Sequence, residues 1–336
     1  MSTMIDHFLN PTALPDETRH VSLVQTHISM VIVADEYVYK IKKPVDFGFL
    51  DFSSLSKRRH YCQQEVKLNQ RLAPDVYLGV LAILHDDQGY RMEADEGQAN
   101  VVDYAVRMRR IPEDVLMKSI FDKGVLRDDQ LKEIATVLAN FHKAAGRSVK
   151  IDEFGEPRAF RINTDENFEQ TKKYIGTTID RSDFESLSEW TAAFYRTKGG
   201  LFQDRIRAQK IRDCHGDLHM EHVCLLKPVS IIDCIEFNER FRYTDTLADI
   251  AFLLMDLEYR DGGALAEKLW KYYQASTLET GVDALLTFYK VYRAYVRGKV
   301  ISFQLDDERI SSEAKQSAAL AARKYFKLAR SYIECS

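Results

Sequence analysis

The first third of the chain alternates short apolar and polar stretches in a way that is typical of β-strands. Between residues 21 and 45, β-branched and aromatic residues alternate with polar ones and with two breaks, which predicts three short antiparallel strands. Similar patterns predict strands at 76–84 and 101–111. Between these regions, apolar residues recur at helical spacing from Ser54 to about Leu72, and the serine can cap the first helical turn. We therefore predict a sheet that carries one helix.

Helical spacing dominates beyond residue 112. The clearest apolar stripe lies at 128–145, and two short strands joined by a turn are predicted at 223–226 and 231–233. Further helical patterns extend over roughly 183–197, 245–259, 264–279, 284–301 and 311–333. The pattern predicts an α+β protein, with a small antiparallel sheet and one helix in residues 1–110 and a larger, mainly helical part in residues 111–336.

Composition and charge exclude several classes of protein. The chain has 336 residues, of which 45% are apolar and 29% are charged, as in ordinary globular proteins. A net charge of −4 offers no general attraction to nucleic acid. The longest apolar runs, such as 250–255, are far shorter than the ~20 residues that span a bilayer, and no signal peptide is evident. The five scattered cysteines suit reduced thiols, so we expect a cytoplasmic protein with no membrane or nucleic-acid partner.

The richest polar cluster extends from Cys214 to His222, and the predicted hairpin that follows it ends in Asp233. Phosphoryl transfer from ATP needs an aspartate that accepts or orients the proton of the acceptor hydroxyl, and two side chains that bind metal. Asp217 could be that base, while position 222 and Asp233 could hold the metal. This spacing makes phosphoryl transfer our leading hypothesis.

Three segments in this order resemble the aminoglycoside phosphotransferase and choline kinase family, which has a protein-kinase-like fold. They are His215-Gly216-Asp217-Leu218-His219, Ile231-Ile232-Asp233 and Ala248-Asp249-Ile250-Ala251. The resemblance covers nearly the whole chain. It implies a bilobal fold with a nucleotide-binding N-lobe at 1–110 and a helical C-lobe at 111–336 that holds the catalytic loop and acceptor site. It also implies ATP, Mg²⁺ or Mn²⁺, and a small-molecule acceptor.

Other segments are similar to a bacterial branch of this family, including VYKIKKPVDFGFLDFSSLSKRR and IIDCIEFNERFRYTDTLADIAFLLMDLE. In that branch the kinase-like domain is often fused to a P-loop ATPase domain. The motif G-x-x-x-x-G-K-[ST] does not occur in this sequence, so we expect only the kinase-like portion.

The family resemblance also implies a strand lysine that holds the α- and β-phosphates and pairs with a helix glutamate. Lys40 matches best, and Lys42 remains an alternative because it lies on the same face of a strand of period two. Glu65 is the natural partner, although it could instead be solvated at the edge of its helix. The expected glycine-rich loop is missing. The turn at Thr26–Ser29 could cover phosphates instead through backbone N–H groups and the Ser29 hydroxyl, or be an ordinary polar turn.

His222 departs from the family pattern, which has asparagine as the second metal ligand. Imidazole suits Mn²⁺ or Zn²⁺ better than it suits Mg²⁺. His222 could ligate the metal, bind phosphate or metal-bound water, or mark a slow or inactive kinase. For His215 and Asp249 we expect a structural role, with the Asp249 carboxylate bonded to backbone amides of the catalytic loop.

The leading hypothesis is therefore an ATP-dependent kinase that phosphorylates a hydroxyl of a small molecule. A nucleotide-binding pseudokinase with a regulatory role is one alternative. A metal-dependent hydrolase is another, because His215, Asp217, His219 and His222 crowd together. The sequence leaves the charge of the acceptor open, since acidic and basic residues alternate in the segment expected to line its site: Glu236, Glu239, Arg240, Arg242, Asp245 and Asp256. It also leaves the oligomeric state open.

Overall fold

The computed structural model describes residues 2–87, 89–97 and 99–335. Their strands are β1 (Ser22–Gln25), β2 (Ser29–Val33), β3 (Tyr37–Lys42), β4 (Tyr77–Asp86), β5 (Gly89–Ala94), β6 (Val101–Arg109), β7 (Ile211–Asp213), β8 (Val223–Cys224), β9 (Ser230–Ile231) and β10 (Tyr243–Asp245). The helices are α1 (Ser2–Phe8), α2 (Leu55–Asn69), α3 (Met117–Asp122), α4 (Asp128–Ala144), α5 (Val149–Glu153), α6 (Pro157–Thr171), α7 (Arg181–Arg207), α8 (Glu239–Arg242), α9 (Thr246–Tyr259), α10 (Gly263–Thr277), α11 (Asp283–Ser302) and α12 (Ser312–Glu334).

The chain divides into two compact units, and the division differs from the predicted one at residue 110. The first unit comprises the described residues of 1–124 and 221–239, and the second comprises those of 125–220 and 240–336. The reason lies in contacts that the sequence pattern does not show. Leu116 forms an antiparallel bridge with Cys224, and the N–H of Leu225 donates to the C=O of Val115 at 2.8 Å. These bonds join the segment after β6 to the β8–β9 hairpin.

In the first unit, six strands form one antiparallel sheet in the order β1-β2-β3-β6-β4-β5. Side chains alternate between its two faces. One face packs against α1 through an apolar cluster that includes Phe8, Tyr39 and Ile41. The other face packs against α2 through a cluster that includes Cys62 and Val106. Because Tyr39 and Ile41 face α1, the residues between and after them on β3 face α2.

Helix α2 begins where the sequence predicts. Ser54 is its N-cap, and the side-chain oxygen of Ser54 accepts a hydrogen bond from the N–H of Lys57 at 3.2 Å. Such a cap satisfies one of the donors left unpaired at the start of a helix. The helix ends at Asn69. A capped start and a buried face fix the position of every side chain that α2 turns toward the sheet.

The second unit is built around α9, whose residues from Thr246 to Leu257 are all buried. Helix α11 packs against both α9 and α12. The contact between α11 and α12 is close at Gly298, where an added Cβ would lie 2.8 Å from the Phe326 ring. A glycine is therefore required at that crossing.

The predicted α+β class is confirmed, because an antiparallel sheet is followed by a mainly helical remainder. Some elements differ from their predicted bounds. Strand β5 and helix α6 were not predicted, α7 extends to Arg207 rather than ending at residue 197, and β9 ends at Ile231 rather than residue 233. Among the described helices, none combines the length and the hydrophobicity that crossing a bilayer requires.

Candidate functional site

Lys40 and Lys42 both reach the same glutamate. They alternate with Tyr39 and Ile41 along β3, so their side chains lie on the face that α2 covers. Lys40 Nζ lies 2.8 Å from Glu65 Oε1, and Lys42 Nζ lies 2.6 Å from Glu65 Oε2. The Glu65 side chain has no solvent exposure. The alternative that Glu65 is solvated is therefore wrong, and the structure brings both candidate lysines to it.

Asp233, two residues after the end of β9, contacts Lys40. Lys40 Nζ lies 2.7 Å from Asp233 Oδ1. The backbone of Asp233 is left-handed, with φ of 61°, a conformation that costs energy in a residue other than glycine. Two hydrogen bonds hold it: the N–H of Asp233 donates to the Tyr77 hydroxyl at 3.1 Å, and the N–H of Cys234 donates to Asn69 Oδ1 at 2.8 Å. The turn after β9 therefore aims the carboxylate at Lys40.

Lys42 has a second carboxylate partner that the sequence did not reveal. Its Nζ also donates to Glu236, and it lies 4.7 Å from the centre of the Phe52 ring. The Lys42 side chain is only 1% exposed. Burial would lower the pKa of Lys42, but Glu236 and Glu65 outweigh burial and raise it. Burial raises the pKa of Glu236.

These five residues form what we call the lysine–carboxylate cluster: Lys40, Lys42, Glu65, Asp233 and Glu236. With all five ionised, the cluster carries two positive and three negative charges. Burial alone would raise the pKa of Glu65, yet the charges of Lys40 and Lys42 lower it. Because the Asp233 side chain is 45% exposed, the excess negative charge faces solvent there. A cation is the ligand that this balance favours.

His222 lies beside the same carboxylate. Its Nε2 is 3.6 Å from Asp233 Oδ2, and its side chain is 14% exposed. A carboxylate oxygen suits Mg²⁺ and Mn²⁺, whereas an imidazole nitrogen suits Mn²⁺ better than Mg²⁺. The donor set therefore fits a divalent cation, with Mn²⁺ the better match.

Ser29 lies at the first position of β2 rather than in the turn before it. The turn is held by Thr26, whose Oγ1 accepts the N–H of Ser29 at 2.9 Å. Ser29 is 1% exposed and pairs in register with Lys42 of β3. Its hydroxyl is buried and has no hydrogen-bond partner among the described residues.

The segment His215–Met220 of the second unit, which we call the catalytic loop, is held by Asp249. The N–H groups of His215 and Gly216 each donate to an Asp249 carboxylate oxygen at 2.8 Å. His142 Nε2 lies 3.2 Å from the same carboxylate, and Arg293 donates to the C=O of Gly216 at 2.9 Å. Burial alone would raise the pKa of Asp249, but the hydrogen bond from His142 and nearby positive charge lower it well below its usual range. His215 and Asp249 thus have the contacts expected of structural residues.

Asp217 follows directly and is more accessible. Its side chain is 36% exposed, and its Oδ2 lies 3.5 Å from His219 Nε2. The N–H of Asp217 donates to His215 Nδ1 at 3.3 Å, which fixes the backbone at this position. Arg297, one helical turn beyond Arg293 on α11, lies close enough to interact electrostatically with Asp217. A fixed, partly exposed carboxylate near a guanidinium is an arrangement that can orient a hydroxyl and accept its proton.

Sequence reasoning missed several residues that position these groups. Glu236, Tyr77 and His142 each contact a candidate site residue. Asn69 donates to the C=O of Glu65, and Arg293 donates to the C=O of Gly216, next to Asp217. Asn69 of α2 and His142 of α4 are buried polar residues, and a polar residue at a core position of a helix is a usable signal. The other contacts join distant segments and have no local signal.

Comparison with known proteins identifies the family and the fold of the chain. The sequence model of the phosphotransferase enzyme family matches residues 35–285, which is more than half of the chain. The chain belongs to this family. Uncharacterized proteins of Mycobacterium tuberculosis (strain ATCC 25618 / H37Rv) and Mycobacterium bovis are each 31% identical over 315 residues, or 94% of this chain. The chain spans 60% of the length of these relatives.

A similar solved structure supports the fold. The crystal structure of a choline/ethanolamine kinase family protein from Mesorhizobium loti has a TM-score of 0.52 and 14% sequence identity, and the match covers 98% of this chain and 99% of that one. At this identity the similarity concerns the fold alone. The predicted resemblance and the predicted kinase-like fold are thus confirmed.

Proposed function

We propose that this protein is a small-molecule kinase that transfers the γ-phosphoryl group of ATP to a hydroxyl group. Lys40, oriented by Glu65, would bind the α- and β-phosphates. Asp233, with His222, would hold the divalent cation. Asp217 would orient the acceptor hydroxyl and take its proton. Membership of the phosphotransferase enzyme family supports phosphoryl transfer to a small molecule.

The contacts of Lys40 carry the proposal. Its ammonium group lies 2.8 Å from Glu65 and 2.7 Å from Asp233. Phosphoryl transfer is catalysed mainly by positioning and by neutralising charge, so a cation next to a metal-binding carboxylate is the required combination. An ion pair that served stability alone would not need a partner as exposed as Asp233, because exposed pairs contribute only ~0–1 kcal/mol.

The bound cation would neutralise negative charge on the triphosphate. The chain itself does the remaining work. The left-handed backbone of Asp233 orients its carboxylate, and the buried Glu65 carboxylate, 2.8 Å from Lys40 Nζ, holds the ammonium group. Asp249 and Arg293 fix both polar groups of Gly216, immediately before Asp217. Both assigned aspartates are thus held by neighbours that fix the backbone.

The experiment that tests this is ADP release by the purified protein with ATP, Mn²⁺ or Mg²⁺, and a panel of small alcohols. The panel contains hydroxy acids, phosphorylated alcohols, amino alcohols and neutral polyols. We expect at least one acceptor to raise ADP release well above the rate without acceptor, and mass spectrometry to show a product heavier by one phosphoryl group. The Asp217→Asn variant is the matched control. ADP release that is equal in this variant and the wild type would contradict the proposal.

One observation favours a second candidate, a pseudokinase that binds nucleotide and regulates a partner. His222 lies 3.6 Å from Asp233 Oδ2, and a protonated imidazole there would occupy a carboxylate oxygen that the metal needs. Nucleotide binding without phosphoryl transfer, even with Mn²⁺, would favour it. A metal-dependent hydrolase gives no role to the contact between Lys40 and Glu65, and the family match also disfavours it.

A further inference from the structure

The charged residues of the segment from Glu236 to Asp256 are not equally engaged in contacts within their units. Most of them have a partner that consumes their charge or hydrogen bonds. Glu236 pairs with Lys42, Arg242 with Asp213, Asp245 with Arg205, and Asp256 accepts the N–H of Met220. The acidic residues of this segment that could attract a cationic acceptor therefore mostly contact other residues of the chain. Arg240 also has an acidic partner, Glu166, but a second cation, Lys299, lies close to that pair.

Arg240 belongs to a small charged cluster with Glu166 and Lys299. Its guanidinium forms two hydrogen bonds with Glu166 of α6, at 2.8 and 2.7 Å. Lys299 of α11 donates to the side-chain oxygen of Gln170, one turn along α6, at 2.9 Å. No carboxylate of the described residues lies within 4 Å of Lys299 Nζ, and its electrostatic neighbours are Glu166 and Arg240. The cluster thus has two cations and one carboxylate.

Lys299 is in an unfavourable environment without a further anion. It is partly buried, and burial disfavours the charged form of a lysine. Burial is the main cause that lowers the pKa of Lys299 from its usual value of 10.5 to about 8, and the charge of Arg240 lowers it further against the effect of Glu166. Lys290 on the same helix shows the usual arrangement, because its Nζ lies 2.5 Å from Glu258.

The cluster lies on elements that also contact the catalytic loop. Helix α11 carries both Lys299 and Arg293, which donates to the C=O of Gly216. Arg240 lies two residues before Arg242, whose C=O accepts the N–H of Cys214 at 2.9 Å. The site is open to solvent, since the Glu166 side chain is 44% exposed and that of Arg240 is 21% exposed.

We propose that Arg240 and Lys299 bind an oxyanion group of the acceptor, either a carboxylate or a phosphate monoester. The assignment of this oxyanion group to an acceptor rests on the proposed kinase function, whereas the anion site itself does not depend on that function. A guanidinium and an ammonium group together match the oxygens of such a group, and charge-assisted hydrogen bonds to it are the strong ones. The bound oxyanion would balance the charge that Glu166 leaves unpaired.

The first test measures the site without any turnover. An amine-reactive acylating reagent is applied at pH 8 to the full chain, and the labelling rates of Lys299 and Lys290 are followed by mass spectrometry. The probes are inorganic phosphate and acetate, each against chloride at matched ionic strength. We expect phosphate or acetate to slow the labelling of Lys299 at least five-fold and to leave Lys290 unchanged. The Arg240→Met variant should lose most of this protection.

The second test uses acceptors. In the Lys299→Met variant the KM for an anionic acceptor should rise about 10- to 100-fold, because a charge-assisted hydrogen bond is lost, while the KM for ATP stays within two-fold. Lys290→Met is the matched control and should change neither. Removing the partly buried charge of Lys299 leaves Glu166 paired with Arg240, so the variant should fold, and Lys299→Arg should recover much of the loss.

The outcomes separate the two proposals. Protection of Lys299 by phosphate, with no acceptor giving ADP, would retain the anion site and overturn the kinase proposal. Phosphorylation of only amino alcohols or neutral polyols, with no protection of Lys299, would retain the kinase proposal and overturn the anion site. Equal labelling of Lys299 and Lys290 under all probes would also overturn it.

Discussion

Lys40 Nζ lies 2.7 Å from Asp233 Oδ1 although 193 residues separate them in the chain. In the proposed function, this contact places the cation assigned to the phosphates directly against the carboxylate assigned to the metal, and Glu65 lies 2.8 Å from the same ammonium group. The proposed binding of the phosphates and the proposed binding of the metal therefore both depend on the Lys40 ammonium group.

We predict that Lys40→Ala weakens ATP binding at least ten-fold and lowers turnover by a larger factor, because the substitution removes a charge-assisted contact with the phosphates. Calorimetry with ATP and the metal, together with ADP-release kinetics, measures both effects. Lys43→Ala, which changes the lysine directly after the end of β3, is the control and should be near wild type. Normal ATP affinity in Lys40→Ala would show that a residue other than Lys40 contacts the phosphates.

Lys42→Ala should act mainly on stability. It leaves Glu65 with one cation fewer and Glu236 buried without its ion-pair partner, and breaking a buried pair costs about 3–5 kcal/mol. Urea unfolding followed by circular dichroism should show a lower midpoint. The double variant Lys42→Met with Glu236→Gln should recover much of the loss, because no charge is then stranded. A midpoint equal to the wild type for Lys42→Ala would show that the pair contributes nothing.

Asp217→Asn should lower turnover about 10²- to 10⁴-fold and leave ATP affinity within a few-fold, because a general base acts on the reaction step. Steady-state kinetics and calorimetry test the two parts separately. Asp261→Asn, at a side chain that is 90% exposed, serves as the control. Loss of ATP binding in a folded Asp217→Asn variant would make Asp217 a nucleotide or metal ligand instead.

His222→Asn should raise the rate with Mg²⁺ relative to the rate with Mn²⁺, because an amide oxygen replaces an imidazole nitrogen. Binding of Mn²⁺ in the presence of ADP, followed by electron paramagnetic resonance, should weaken in the variant, which gives a readout independent of turnover. An unchanged ratio and unchanged Mn²⁺ binding would show that His222 is not a ligand. Loss of activity with both metals would indicate that the imidazole contacts phosphate.

Lys299→Met should stabilise the protein at pH 7 by on the order of 2 kcal/mol, less than the full pKa difference implies because the side chain is partly exposed. The pKa of Lys299 is about 8 when folded and 10.5 ordinarily. Between these values the unfolded chain binds more protons, so wild-type stability rises with pH and the advantage of the variant shrinks. Urea midpoints at pH 7.0 and 9.5 for Lys299→Met, Lys290→Met and wild type test this. A difference that does not depend on pH would contradict it.

The sequence predicts elements well where one face is apolar and the other polar. Strand β3 follows that rule, with Tyr39 and Ile41 on one face and Lys40 and Lys42 on the other. For α2 the signal is Ser54, which marks its start. Helix α6 was not predicted, because its buried positions are mostly polar: Asn163, Thr164, Asn167 and Thr171. Helix α7 continues through Gly199 and Gly200, which on their own favour an end to the helix. Packing against α6 and α12 outweighs that local preference.

The candidate site could be predicted from the sequence only where its residues follow a motif. The assignments of the segment His215–Met220, of Asp217 and of Asp233 come from such motifs. Lys40 and Lys42 could not be separated, because the period of a strand places both on one face and only the position of Glu65 shows that both reach it. Glu236 and Lys299 carry no motif. Their importance depends on partners brought together by folding, which no local pattern encodes.

The complete burial of Lys42 has a consequence for how variants of this protein would behave in a living cell. A chain that loses its buried partner charge spends more time unfolded, and unfolded chains are removed by proteases. Substitutions at Lys42 should therefore reduce the cellular abundance of the protein. Substitutions at Lys40, 15% exposed and only one pleat away, should leave abundance high and remove the activity of each molecule.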